Sequence, residues 1–392
     1  MNRSKPGPTR RLEIVRRSHI WFGLLTAVGV IAISLTGVIL NHRDLAGIAS
    51  EGPPPVEGSG DLAGSAPIND LLRAALIAAD GAGVRVEGRN GRELHPTGPS
   101  DIDRVQFRPS TRTAQVRLAD PRATEVILDW TTGTVLAVRP RDDVRVEHVH
   151  SGEVIGQKGV VASDIVGVVL IALSVGGAVI WVRRILGGRS SGAAIRGETS
   201  GWLRFNWRFH LVGGIVVAVY VIVISVTGVL LNHKRELGLM IEPVKILESE
   251  SVARRTPDAL PAIVDAGIRQ RQSERPEVTQ DDLRFVDYRP LSGYAKLRFK
   301  DEWEVIVDVY DGRIFSSADR RDVWVEQLHS GLLFGEGWTI LSDAAAIMLI
   351  LLSVNGIYLM ALPGWRTRGQ APPRAGGVRQ ETDDTVATSP AP

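Results

Sequence analysis

The sequence has 392 residues and is nearly balanced in charge, with 46 Lys and Arg against 44 Asp and Glu. It contains no cysteine, which excludes disulfides, thiolate zinc or iron–sulfur sites, a catalytic cysteine and covalently attached c-type haem. Any transition metal must therefore be held mainly by the eight histidines.

Four apolar stretches are long enough to cross a bilayer core, which needs about 20 residues. They are residues 20–40, 160–182, 211–231 and 339–362. The first and third contain no charged residue, and the other two contain one aspartate each, Asp164 and Asp343. The apolar region of the first stretch is too long for a secretory signal peptide, and no small-residue cleavage site follows it. The sequence therefore predicts a multi-pass protein with the lipid bilayer as its partner.

Basic residues flank these spans unevenly. Residues 1–19 and 183–209 each carry six Arg or Lys and one Glu, and the tail 363–392 carries four Arg and three acids. The positive-inside rule places these three segments, including both termini, in the cytoplasm. Regions 43–150 and 234–329 then lie in the periplasm. No nucleic-acid partner is expected, because the basic residues flank spans and do not form a folded basic face.

The chain contains one unit used twice. The segment that begins at Ser18 matches the one that begins at Phe209 without a gap, 191 positions later. The offset changes within the first periplasmic region and is 179 positions from Ile127 onward, so that Asp164 falls on Asp343. The sequence therefore predicts two parallel repeats of span, periplasmic domain and span, related by an axis along the membrane normal.

Each periplasmic region has the pattern of a small α+β domain. Helical spacing over residues 68–79 and 257–270 is followed by alternating runs, and Asp-x-x-x-Gly motifs at Asp129 and Asp308 predict hairpin turns. We expect one helix over a small antiparallel sheet in each region. The tail 363–392 is expected to be disordered.

Three histidine positions recur in both halves of the sequence. The pairs are His19 with His210, His42 with His233, and His150 with His329. An axis along the membrane normal makes equivalent residues face each other, and two facing imidazoles can ligate a six-coordinate haem iron. We expect the first pair to hold haem near the cytoplasmic face and the third pair near the outer face. The second pair could replace or mix with the outer set, because spacing does not choose between them.

Two alternatives concern these polar groups. Histidine pairs at both faces, with a carboxylate between them, could form a path for zinc or copper, but the spans lack a row of ligands and the chain has only four Met. Asp164 and Asp343 either lie in water near the outer boundary, or accept a hydrogen bond from a ligand histidine, or admit protons. Small-residue patches at Thr36-Gly37 and Thr227-Gly228 allow close helix packing or leave room for a flat macrocycle.

The order of these motifs resembles the PepSY-associated transmembrane family over nearly the whole chain. The motifs are the Arg-x-x-His-x-x-x-Gly start at Arg16, the Thr-Gly near the end of the first span, the Asp-x-x-x-Gly turns, and His-Ser-Gly at His150 and His329. The second half departs from the start motif, with Arg208 two residues before His210. The resemblance implies PepSY-like α+β domains between four transmembrane helices.

Some members of this family resemble inner-membrane haem proteins that reduce ferric siderophores in the periplasm, and this resemblance implies that the chain's histidines hold the haem. The implied ligands are His19, His210, His150 and His329. We therefore expect a haem b electron-transfer protein with about two haems per chain, one at each face. Electrons would come from a quinol or another membrane donor and pass to a ferric siderophore or another periplasmic acceptor. The alternative is a non-enzymatic sensor or scaffold whose PepSY domains bind a periplasmic protein or peptide.

Overall fold

The computed structural model describes residues 8–43, 48, 56–87, 93–186, 201–240 and 259–361. The expected disorder of the tail 363–392 lies outside the described residues. The helices are α1 (Pro8–Asn41), α2 (Ile68–Gly81), α3 (Asp142–Ser151), α4 (Gln157–Leu186), α5 (Gly201–Asn232), α6 (Leu260–Glu274), α7 (Asp322–Ser330) and α8 (Thr339–Ala361). The strands are β1 (Val86–Glu87), β2 (Glu93–Leu94), β3 (Ile102–Arg108), β4 (Thr113–Leu118), β5 (Glu125–Asp129), β6 (Val135–Arg139), β7 (Leu283–Arg289), β8 (Tyr294–Phe299), β9 (Trp303–Asp308) and β10 (Ile314–Asp319). Short 3-10 turns lie at Pro99–Asp101, Glu153–Ile155, Gln280–Asp282, Leu332–Phe334 and Glu336–Trp338.

Within the described residues, four helices are long and apolar enough to cross a membrane, and they make this a multi-pass membrane protein. The spans are Glu13–Asn41, Gln157–Arg183, Gly201–Asn232 and Thr339–Ala361. Helices α1 and α5 begin well before the predicted apolar stretches, at Pro8 and Gly201. Both helices carry arginines before the apolar stretch, so the apolar stretch alone does not mark where these helices begin.

The four long helices form a bundle in which α1 and α5 each pack against both α4 and α8. The closest packing joins α1 to α8 and α5 to α4, so that each close pair combines one helix from each half of the sequence. Helices α1 and α5 consequently lie on a diagonal of the bundle. Side chains that point inward from these two helices meet near its centre.

Eight strands from both halves form one antiparallel sheet with the order β10-β9-β8-β7-β3-β4-β5-β6, and β1 pairs separately with β2. We expected a separate small sheet in each region, and this expectation was wrong. Strands β3 and β7 pair with each other, with Gln106 opposite Asp287 at the centre of the pairing. In separate sheets both strands would be edges with unpaired N–H and C=O groups, and the pairing satisfies these groups.

Helices α2 and α6 cover one face of this sheet, and we call the sheet with these two helices the sheet domain. Leu71 and Ala75 of α2 and Ile263 of α6 are buried with the apolar strand residues Phe107 and Leu297. Each large apolar side chain buried in this way contributes about 1.5–3 kcal/mol. The core of the sheet domain is therefore shared by both halves of the chain.

A chain of buried ion pairs connects the sheet domain to the end of α1. Arg141 donates to Glu125 of β5 at 3.0 Å and to both carboxylate oxygens of Asp143 at 2.7 and 2.8 Å. Asp143 also lies 3.7 Å from Arg43, just after α1. Arg141 and Asp143 are 0% and 1% exposed, so these charges depend on one another. The network holds the first turn of α3, the helix that carries His150.

The Asp-x-x-x-Gly motifs form the turns between β5 and β6 and between β9 and β10. Asp129 accepts hydrogen bonds from the backbone N–H and the hydroxyl of Ser59, at 2.7 and 2.6 Å, and from the N–H groups of Thr131 and Thr132. Gly133 completes the turn with a φ of 70°, which favours glycine. Burial raises the pKa of Asp129, but these hydrogen bonds outweigh it and lower the pKa to about 2.

Changing Asp129 to Asn is therefore expected to destabilise the sheet domain by about 1–2 kcal/mol at pH 7. The folded carboxyl has a lower pKa than the unfolded one, near 3.9, so its contribution is complete above that pH and is lost as the pH falls toward 2. Denaturant unfolding of the full chain in detergent, from pH 7 to pH 2.5, measures this difference. The exposed Asp311, changed to Asn, is the control. A penalty for Asp129→Asn that stays constant over this pH range would contradict the prediction.

Candidate haem-ligand histidines

His19 of α1 and His210 of α5 face each other across the diagonal of the bundle. Their ring centroids are 6.3 Å apart, and the ring planes meet at 87°. A metal bound by one imidazole nitrogen on each side, at about 2 Å, places the two centroids about 6 Å apart. The mutual angle of two such rings is variable, because each ring can rotate about its metal–nitrogen bond. The pair therefore has the spacing of two axial ligands.

His150 of α3 and His329 of α7 form a second pair with nearly the same geometry. Their ring centroids are 6.0 Å apart, and the planes meet at 76°. His150 Nδ1 donates to the carbonyl of Ile33 at 2.9 Å, and His329 Nδ1 lies 3.0 Å from the hydroxyl of Thr227. A metal-ligating histidine typically uses its second nitrogen in this way, which fixes the tautomer and leaves Nε2 for the metal.

The electrostatics of the second pair favour neutral rings. Burial lowers the pKa of His150, although its hydrogen bond to Ile33 acts in the opposite direction. Burial, together with the nearby His150, lowers the pKa of His329 to about 4. Both imidazoles are consequently neutral at pH 7, and the neutral ring is the form that binds a metal.

Each of the four rings lies against a glycine of a neighbouring helix. A Cβ on Gly37 would lie 3.1 Å from Cε1 of His150, and one on Gly228 would lie 3.2 Å from Cε1 of His329. In the inner pair, the corresponding distance is 3.6 Å for Gly177 against His19 and for Gly356 against His210. Sequence reasoning assigned the Thr-Gly patches to helix packing or to a macrocycle and missed these contacts. Gly37 and Gly228, and likewise Gly177 and Gly356, occupy equivalent positions in the two repeats. This recurrence could have predicted that the glycines contact the histidines.

His42 and His233 do not face each other, and each contacts a carboxylate. His42 Nε2 lies 2.8 Å from Asp343 Oδ2, and the neighbouring Asn41 donates to Asp343 Oδ1 at 2.8 Å. His233 lies at the same distance from Asp164. The aspartates within the spans thus contact histidines, as one of our alternatives stated, but these are not the histidines of the two facing pairs. The contacts join α1 to α8 and α5 to α4.

A cavity of about 290 Å³ lies between the four long helices, with His19 and His210 on its wall. Its deeper lining is apolar and includes Val30, Val221 and Leu349. This volume is near the lower end of the range for ligand pockets, about 300–1,000 Å³. The cavity therefore places the inner pair beside space suited to an apolar ligand.

The two pairs lie at opposite ends of the bundle. Ile33, whose carbonyl contacts His150, follows His19 by 14 residues on α1, which corresponds to about 21 Å at 1.5 Å per residue. Among the described residues, no group of three or more His, Asp or Glu side chains is arranged to hold a metal ion. A zinc site needs three or four protein ligands, whereas haem iron needs only one or two. Two opposed imidazoles could ligate one iron from two sides.

None of the curated proteins compared with this chain matches it significantly. The sequence model of the PepSY-associated TM region matches residues 16–262 and again residues 239–381, and these matches include all four spans and the four facing histidines. The chain therefore belongs to the family of PepSY-associated transmembrane proteins.

Proposed function

We propose that the two halves are parallel repeats related by an axis along the membrane normal. The pairing of β3 with β7 supports this arrangement, because Gln106 and Asp287, which lie opposite each other, each stand two residues before an Arg-Pro pair in their own half of the sequence. The packing of α1 against α8 and of α5 against α4 supports it too, because each pair joins one helix from each half. The basic flanks support termini on the cytoplasmic side of a bacterial inner membrane and a sheet domain in the periplasm.

We propose that each facing pair holds one haem b, through His19 and His210 at the inner face and through His150 and His329 at the outer face. The observation that carries the proposal is the spacing of about 6 Å in both pairs, at the two ends of one bundle. Haem supplies one-electron chemistry when it is bound. The chain supplies neutral ligands, glycines that leave room for the imidazole rings, and a largely apolar cavity.

The function that fits this arrangement best is electron transfer across the inner membrane to ferric siderophore iron in the periplasm. A quinol or another membrane donor would provide each electron, and Fe(III) would become Fe(II). Reduction would release the metal, because the hard oxygen ligands of siderophores bind Fe(II) much less tightly than Fe(III). The position of the outer pair on α3 and α7, which follow directly from the sheet domain, supports a periplasmic acceptor.

The visible spectrum of the full chain, purified in detergent from haem-replete cells, tests this proposal. We expect a Soret band that shifts with dithionite, a sharp α-band, and about two haems per chain. Oxidation of the reduced protein by a ferric siderophore, with a ferrous chelator as indicator, then tests the acceptor. A flat spectrum would overturn the haem proposal and favour a sensor or scaffold that binds a periplasmic protein or peptide.

A further inference from the structure

The inner cavity has one charged side chain among the described residues that line it, and this is Arg16. Arg16 precedes His19 by three residues on α1, so both side chains lie on the same face of the helix. The equivalent position in the second repeat, 191 residues later, is Trp207, which also lines the cavity. The inner pair is therefore symmetric in its histidines but not in the residues one turn closer to the cytoplasm.

The charge distribution around the cavity restricts how a macrocycle with carboxylate groups can lie in it. The deep wall is formed by apolar residues, including Val30, Leu170 and Val221. A carboxylate placed there would cost several kcal/mol, because hydrocarbon does not solvate the charge. The cytoplasmic end offers both water and the guanidinium of Arg16, whose side chain is 45% exposed. The two carboxylates of haem would therefore lie at that end.

The guanidinium of Arg16 can move toward the cavity without leaving a carboxylate unpaired. Arg16 donates to both oxygens of Glu13 at 2.9 Å, and Arg17 donates to the same Glu13 at 2.8 Å. If Arg16 turned toward a ligand, Glu13 would keep its ion pair with Arg17. An arginine suits this role, because its planar donors match the geometry of a carboxylate.

We propose that Arg16 binds a carboxylate of the macrocycle at the inner site, a role that Trp207 at the symmetry-equivalent position cannot share. This inference rests on the proposed function. It assigns a role to one asymmetric residue beside an otherwise symmetric pair of ligands.

The experiment compares haem with haem dimethyl ester, which lacks the two carboxylate charges. Both are loaded into the full chain carrying His150→Ala, so that only the inner site remains, and dissociation is followed by transfer to excess apomyoglobin. We expect the ester to dissociate about tenfold faster than haem from this protein, since one charge-assisted contact is lost. With Arg16→Gln added, we expect haem and its ester to dissociate at similar rates.

Arg208→Gln is the matched control, because Arg208 is exposed, occupies the position equivalent to Arg17 in the second repeat and does not line the cavity. It should keep the tenfold preference for haem, and Arg16→Lys should keep most of it. Haem binding with an unchanged preference in Arg16→Gln would overturn the role of Arg16 and leave the proposed function intact. Failure of the protein to bind haem at all would overturn both.

Discussion

Changing His19 to Ala is expected to remove one haem per chain and leave the other in place. The reason is that His19 and His210 face each other at 6.3 Å and would share one metal, whereas the outer pair lies about 21 Å away. His210→Ala should therefore remove the same haem, and the double variant should remove no more. Haem quantified per folded chain, with the reduced-minus-oxidised spectrum, measures the result.

The outer pair should respond in the same way. His150→Ala and His329→Ala should each remove the second haem. The double variant His19→Ala with His150→Ala should remove both haems. Transfer of electrons to a periplasmic acceptor should be lost in each single variant, because the loss of either haem interrupts electron transfer between the two faces of the membrane.

His42→Ala and His233→Ala are the informative controls for this series. Both histidines contact aspartates within the bundle, so their loss should leave both haems bound. His95→Ala should also be silent, because His95 contacts Asp80 of α2, far from both facing pairs in sequence. Loss of a haem in His42→Ala or His233→Ala would contradict the assignment of the outer ligands to His150 and His329.

Changing Asp143 to Asn is expected to destabilise the sheet domain by about 3 kcal/mol. Arg141, which is 0% exposed, would lose the negative charge of that carboxylate and one of its two hydrogen bonds to it, because the amide nitrogen of asparagine donates and does not accept. The cost is large because a buried guanidinium has no water to replace the lost charge. Denaturant unfolding of the full chain, with hydrogen exchange at residues 125–150, measures the effect.

The adjacent Asp142 provides a matched control, since its side chain is 46% exposed and lies 3.8 Å from Arg145. Asp142→Asn should change stability by less than about 0.5 kcal/mol. Because Asp143 holds the first turn of α3, its loss should also weaken the haem at His150 more than the haem at His19. Equal effects of the two substitutions would show that the network does not position α3.

The corresponding network in the second half offers an independent check. Arg320 donates to Asp322 at 2.9 Å, and Lys234, which follows α5, lies 3.9 Å from the same carboxylate. Asp322→Asn should therefore loosen the first turn of α7 and weaken the outer site through His329.

Features that depend on neighbours along the chain were predictable from the sequence. Long apolar stretches gave the four spans, and the Asp-x-x-x-Gly motifs at Asp129 and Asp308 gave the hairpin turns. The internal match at constant offsets identified the equivalent histidines, because aligned repeats preserve sequence position as well as residue type. The family resemblance followed from the order of the same motifs, and the family match confirmed it.

The sequence by itself thus determined the spans, the repeat and the set of candidate histidines, while the tertiary structure decided which of them meet. Asn41 and Asp343, which are joined by a hydrogen bond, are 302 positions apart, and no local pattern predicts that contact. Three further contacts also join residues that are distant in the sequence. They are the pairing of β3 with β7, the contact of His42 with Asp343 and the contact of His150 with Gly37. Periodicity reports which face of an element is buried, whereas the partner of each face is decided by packing and by satisfaction of buried polar groups across the whole bundle.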